Sequence, residues 1–217
     1  MKIIISVVGI KGGNGKSTTS QTLAFGIAKL GHFSFLMSTD PRRREGREIQ
    51  DNRGYINLDG RTENGSVERI SDFLAFDEGN ELAVLVIDGG ANESRELDKS
   101  LAEISDIVLI PFMRSPDDLD SAKIELTVHE NAYGLPNRWP TNVMSLQKAN
   151  KYLETHLSEF TKRILRPNFD CNATIDLLGD ADSITASTLN SVAKKLATQV
   201  LEVVNVNVND KEFPKNA

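Results

Sequence analysis

Residues 3–31 read IIISVVGIKGGNGKSTTSQTLAFGIAKLG, and this stretch decides the fold. Ile3 to Val8 is a short, mostly β-branched apolar run, the composition of a buried strand. The glycines that follow let backbone N–H groups turn toward an anion. From Lys16 onward Leu23, Ile27 and Leu30 step by four and three, the spacing of a helix face, and Gly31 is a natural stop. Strand, glycine-rich loop and helix in that order make a phosphate-binding loop. The helix N-terminus adds its positive end, Lys16 reaches the β- and γ-phosphates, and the Ser17 hydroxyl ligates Mg²⁺. The common pattern G-x-x-x-x-G-K-[ST] requires glycine at position 10, where this chain has Ile10. Gly12 and Gly13 sit further in, and a second lysine, Lys11, precedes them.

Working outward, "FSFLMS" (33–38) predicts a second strand, followed by Thr39-Asp40-Pro41. Residues 42–80 are polar, with only Val67, Ile70, Phe73 and Leu74 spaced as a short helix face. "LAVLVIDGG" (82–90) is a continuous apolar run ending in an acid, as in a strand covered on both sides. Leu97, Leu101 and Ile104 mark a helix, and "DIVLIPF" (106–112) a further strand. Ser115-Pro-Asp-Asp118 reads as a helix start, with a capping serine, proline at the first position and acids against the dipole. A strand is expected at "TNVMSL" (141–146), then a helix with Ala149, Leu153, Leu157, Phe160 and Ile164 on one face. A last helix carries Leu189, Ala193, Leu196, Val200 and Val203. Strands alternating with helices imply right-handed crossovers and a mostly parallel, twisted sheet with helices on both faces. One domain over residues 1–205 and a polar tail at 206–217 are expected.

Composition narrows the function. The chain has 217 residues and a formal net charge of −6, so the protein as a whole does not announce nucleic-acid binding. The single cysteine, Cys171, excludes an intramolecular disulfide and a cysteine-cluster metal site within one chain. No apolar run approaches the roughly 20 residues that span a membrane, and "KIIISVVGI" is too short for a signal peptide. A cytoplasmic location follows as an expectation. With the first strand opening at residue 3, no separate DNA-binding domain is expected ahead of it.

Lys11-Gly-Gly-Asn-Gly-Lys-Ser17 resembles the deviant phosphate loop of the ParA/MinD ATPases. The P-loop fold, ATP and Mg²⁺ as cofactors and ATP hydrolysis follow from that resemblance. It implies that Gly12, Gly13, Asn14, Gly15, Lys16, Ser17 and Thr18 hold the nucleotide. It further implies that Lys11 crosses a dimer interface to the partner subunit's phosphates, as an arginine finger does in trans. "STDP" is similar to the family's D-x-D-P element. Asp40 matches its second aspartate, which positions the attacking water and helps with Mg²⁺; Ser38 replaces the first. "VLVIDGG" looks like the family's Walker B strand, with Asp88 holding Mg²⁺ through water, and "DIVLIPFMRSPDDLDSA" resembles the strand-to-helix passage that follows. The resemblance covers residues 3 to about 125. No stretch matches the family's base-reading asparagine strand, and Asn142–Gln147 and Pro167–Asp170 are the candidates for adenine contact.

Arg42, Arg43, Arg44 and Arg47 follow Asp40 in an otherwise acidic protein. They read either as a segment that meets nucleic-acid phosphates or an acidic partner when ATP orders it, or as a solvated run paired with Glu45 and Glu48. The leading expectation is an ATP-dependent homodimerisation switch of the small ParA type. It hydrolyses ATP slowly, binds DNA nonspecifically, works with a ParB-like adaptor and sits on the nucleoid rather than the membrane. A MinD-type membrane-positioning ATPase is the alternative, but it wants a basic amphipathic C-terminal helix that "NVNVNDKEFPKNA" lacks. A metabolic P-loop ATPase or kinase is a further alternative, and an iron–sulfur version of it would need more cysteines. A degenerate scaffold would show damage at Lys16, Ser17 or Asp88, and none is seen.

Overall fold

The structure, a computed structural model, describes residues 1–40, 54–61, 64–89, 95–166 and 187–206, and for 95–98 and 187–188 the backbone alone. Strands β1 (Lys2–Val7), β2 (Phe33–Ser38), β3 (Ile56–Asp59), β4 (Ala83–Asp88), β5 (Ile107–Phe112) and β6 (Ala132–Pro136) form one six-stranded sheet in the order β3-β2-β4-β1-β5-β6. Every pairing is parallel. The helices are α1 (Lys16–Lys29), α2 (Gly65–Ala75), α3 (Arg95–Ile104), α4 (Pro116–Val128), α5 (Val143–Leu157) and α6 (Ser187–Val203), with a 3₁₀ helix at Ser158–Arg163.

Alternation along the strands distributes the helices over both faces. Ile3, Ile5 and Val7 of β1, with Val84 and Val86 of β4, join Leu23 and Ile27 of α1 and Leu196 and Val200 of α6 in one core cluster. On the opposite face Phe35, Met37, Leu85 and Ile87 meet Phe73 of α2 and Leu101 of α3. Val108, Ile110 and Phe112 there meet Leu119 and Leu126 of α4 and Leu157 of α5. Each such apolar side chain taken fully from water contributes about 1.5–3 kcal/mol before chain entropy is set against it. The chain steps out from β1 to β2 and β3, returns to β4, then crosses to β5 and β6. The carboxyl ends of β1, β4 and β5 therefore border the reversal point where open parallel sheets bind ligands.

The structure differs from the sequence reading at four places. The strand assigned to 141–146 does not exist: Asn142 caps α5, its Oδ1 accepting from Ser145 N at 2.9 Å. The strand on that side is Ala132–Pro136, whose small and proline-containing "AYGLP" carries no β-branched signal but is largely buried beside β5. The helix said to run through Ile164 ends at Leu157, and Ile164 instead bridges Gly134 of β6. A strand was missed in the polar region. β3 is a four-residue edge strand, half-exposed, paired with Phe35–Ser38. At its end Arg61 grips Asp59 with two side-chain nitrogens, at 2.7 and 2.6 Å, and these bonds hold the Asp59 carboxyl down to about 2. In α2, Phe73 is buried as read, whereas Val67 and Leu74 face solvent.

α1 and α6 approach closely through small residues. A Cβ at Gly26 would lie 2.1 Å from the Ala193 carbonyl oxygen and 3.0 Å from Ala197 Cβ. Backbone cannot yield as a flexible side chain does, so Gly26→Ala is expected to lower unfolding stability by at least about 1–3 kcal/mol, measured by urea denaturation. An unchanged midpoint would mean that the two helices are not packed this tightly.

Candidate functional site

β1 leads into the loop at residues 8–15, and Gly13 and Gly15 adopt left-handed backbone angles, φ 83° and 86°. These two positions are where glycine is required. Gly15 caps α1 without any side-chain hydrogen bond, so N–H groups of the first turn face outward with the dipole behind them. A Cβ built at Gly12 or Gly13 meets nothing within 4 Å, so a ligand can approach this backbone closely. Lys16 is 7% exposed. Its ammonium donates to Gly9 O at 3.1 Å and Lys11 O at 3.0 Å, holding the loop in a curl around its own charge.

Asp88, at the end of β4 beside β1, is 1% exposed and accepts from Ser20 Oγ of α1 at 3.3 Å. Thr39 reaches the same strand end, its N–H and hydroxyl both donating to Asp88 O at 3.2 and 2.9 Å. These two hydrogen bonds to one carbonyl fix the exit of β2, so Asp40 emerges next to the Asp88 strand end. Ser17 is exposed on the first turn of α1. The site thus joins backbone N–H groups and an ammonium, which suit phosphate oxygens, with a hydroxyl and carboxylates, the hard oxygen ligands of Mg²⁺. ATP with Mg²⁺ fits this donor set.

The Lys11 side chain is 39% exposed, and its ammonium lies 3.0 Å from Asp118 Oδ1, a carboxylate 3% exposed in the first turn of α4. The second Asp118 oxygen accepts from Ser115 Oγ, and Ser115 Oγ in turn accepts from Asp118 N at 3.2 Å. The sequence marked Ser115 as a cap and Asp118 as a dipole-matching acid. Asp118 is also the counter-ion of the extra lysine, and no local pattern announces a pairing so distant along the chain.

Asn137 was missed. It follows β6 and is 1% exposed. Its Nδ2 donates to Asn14 O at 2.8 Å and to Thr19 Oγ1 at 3.3 Å, so it braces the loop from the β6 side of the sheet. Among the described residues, Asn137 Oδ1 and Asn14 Oδ1 are buried without a hydrogen-bond partner. Next to it, Arg138 is exposed with a left-handed φ of 50°, which is uncommon for a residue other than glycine. A polar residue directly after an apolar strand was the available signal, obscured because the strand was placed about ten residues late. Asn142 is occupied as a helix cap, and residues 143–147 form the start of α5. Arg42, Arg43, Arg44, Arg47, Cys171 and Pro167–Asp170 lie outside the described residues. No helix among the described residues is long and apolar enough to cross a membrane.

No protein-family model matches the sequence, and no curated protein matches it. Solved structures do. An ATP complex of Cyanothece McdA superposes with a TM-score of 0.66 at 13% identity, covering 99% of both chains. The fold is that of the ParA/MinD ATPases. MinD from Pyrococcus horikoshii with Mg-ADP gives 0.61 at 13% identity, over 94% of this chain and 98% of that one. pNOB8 ParA bound to nonspecific DNA gives 0.62 at 16%, over 97% and 100%.

Replacing Asn137 with alanine strands the Asn14 carbonyl and frees the loop. Stability is expected to fall by about 1–3 kcal/mol, and affinity for ATP and for inorganic phosphate to fall together, because both would sit on the loop that Asn137 braces. Urea denaturation and calorimetric titration with both ligands check this; unchanged affinities would mean that Asn137 does not shape the loop.

Proposed function

We propose that this chain is a positioning ATPase that works as an ATP-dependent dimerisation switch. The observation that carries the reading is Lys11. Lys16 already lies at the centre of the loop, held by its carbonyls, whereas Lys11 extends from the same loop to a carboxylate on a different helix. A cation held beside, rather than within, the phosphate cradle is placed for a second nucleotide. In the ATP-bound homodimer Lys11 leaves Asp118 and meets the partner subunit's phosphates, where charge builds during transfer.

Each residue has a role on this reading. Gly12 to Thr18 wrap the phosphates, Ser17 and Asp88 hold Mg²⁺, and Asp40 orients the attacking water. Asn137 keeps the phosphate loop in shape through the Asn14 carbonyl. Mg²⁺ supplies Lewis-acid neutralisation of the phosphate oxygens when bound. DNA is the proposed surface on which the dimer acts, in line with the DNA-bound ParA of the same fold. A ParB-like adaptor that accelerates hydrolysis and a nucleoid-associated location belong to the same proposal. Arg42, Arg43, Arg44 and Arg47 are the proposed phosphate contacts. The domain is proposed to span residues 1–205.

Light scattering with ATP and Mg²⁺, alongside DNA retention, tests the reading. The wild type should double its mass with ATP and hold DNA. Lys11→Ala should bind ATP yet stay monomeric, with hydrolysis reduced at least about tenfold, a cautious floor for a lost trans cation. Dimerisation and turnover equal to wild type would remove Lys11 from the partner's site. Retention on lipid vesicles in place of DNA would move the role to a membrane.

A further inference from the structure

The exchange of Lys11 between two anions creates a charge problem on α4. Asp118 is 3% exposed, and its Oδ2 already accepts from Ser115. Its Oδ1 faces the Lys11 ammonium and accepts no hydrogen bond among the described residues. If Lys11 crosses to the partner's nucleotide, a buried carboxylate is left without a cation. An uncompensated buried charge is among the costliest single defects in a folded protein. Unless another cation arrives, that cost opposes dimerisation.

The β5–α4 connection carries a candidate replacement. Arg114 immediately precedes the helix cap Ser115, is exposed, and makes no hydrogen bond or ion pair among the described residues. A side chain just before a cap can fold back over the first turn of the helix, as in the staple between the residue before the cap and the fourth helical residue, here Leu119, the neighbour of Asp118. Asp118 is the third residue of α4. Guanidinium suits the task, because it offers two parallel donors to a carboxylate and is desolvated more readily than an ammonium.

We infer that Arg114 is the counter-ion that takes over Asp118 when Lys11 departs. α4 then has two states of one carboxylate: paired to Lys11 in the single chain, paired to Arg114 in the ATP dimer. Arg114 is a positioning residue, acting through Asp118 and touching no nucleotide. This inference rests on the dimer reading above and adds its regulation.

A double-mutant cycle tests it, with dimerisation read by sedimentation across a concentration series in ATP and Mg²⁺. Arg114→Gln should melt at the wild-type temperature, because Arg114 bonds nothing described in the single chain, and should weaken the dimer about tenfold or more. Asp118→Asn removes the buried charge, so in that background Arg114→Gln should change the dimer constant less than about twofold. Arg114→Lys should restore part of the affinity, keeping charge without the fork. Equal weakening by Arg114→Gln with and without Asp118→Asn would overturn the inference, as would no weakening at all. A wild type that fails to dimerise in ATP would overturn the dimer reading itself.

Discussion

A buried ammonium surrounded by its own loop's carbonyls is the constraint on which the site depends. Lys16 is drawn inward by Gly9 O and Lys11 O, and a charge held this far from water must keep backbone dipoles around it. That requirement sets the left-handed glycines at 13 and 15, and it fixes where the Lys11 backbone stands. β1 delivers the loop between β4 and β5, so Asp88 lies on one side of it and the start of α4 on the other. The rest of the sheet and its two helix layers keep those three strand ends in register.

Two braces fix the strand exits around the loop. Thr39 ties the β2 exit to the Asp88 carbonyl, and Asn137 ties the β6 exit to the Asn14 carbonyl. Each uses a polar side chain on backbone oxygen at the end of an apolar strand. Both are deeply buried, where hydrogen bonds are strong and unmade ones costly. The edge of the sheet is therefore tied at the exits of β2 and β6, and of the two loop lysines it is Lys11, partly exposed, that reaches away from the loop.

Legibility in the sequence followed the strength of local signal. β1, α1, β2, β4 and β5 were readable because buried parallel strands are continuous apolar runs and α1 has a regular face. β6 was not, because "AYGLP" is buried by its neighbours rather than by its own composition. "TNVMSL" looked more strand-like, yet Asn142 is a cap. β3 was hidden by being a half-exposed edge strand of four residues. At the sheet edge, the positions of Lys16, Ser17 and Asp88 were legible from the loop and strand-end patterns. The pairings of Asp118 and Asn137 were not, since their partners, Lys11 and Asn14, lie far away along the chain.

The central claim is that Lys16 serves its own nucleotide and Lys11 the partner's. Subunit mixing tests it most directly. Lys16→Ala and Lys11→Ala proteins, each inactive alone, are combined and ATP hydrolysis is measured against the mixing ratio. The account predicts that activity returns in the mixture, because a Lys16→Ala subunit still lends its Lys11 to the nucleotide held by a Lys11→Ala subunit. A mixture as inactive as its components at every ratio, while heterodimers form, would contradict it.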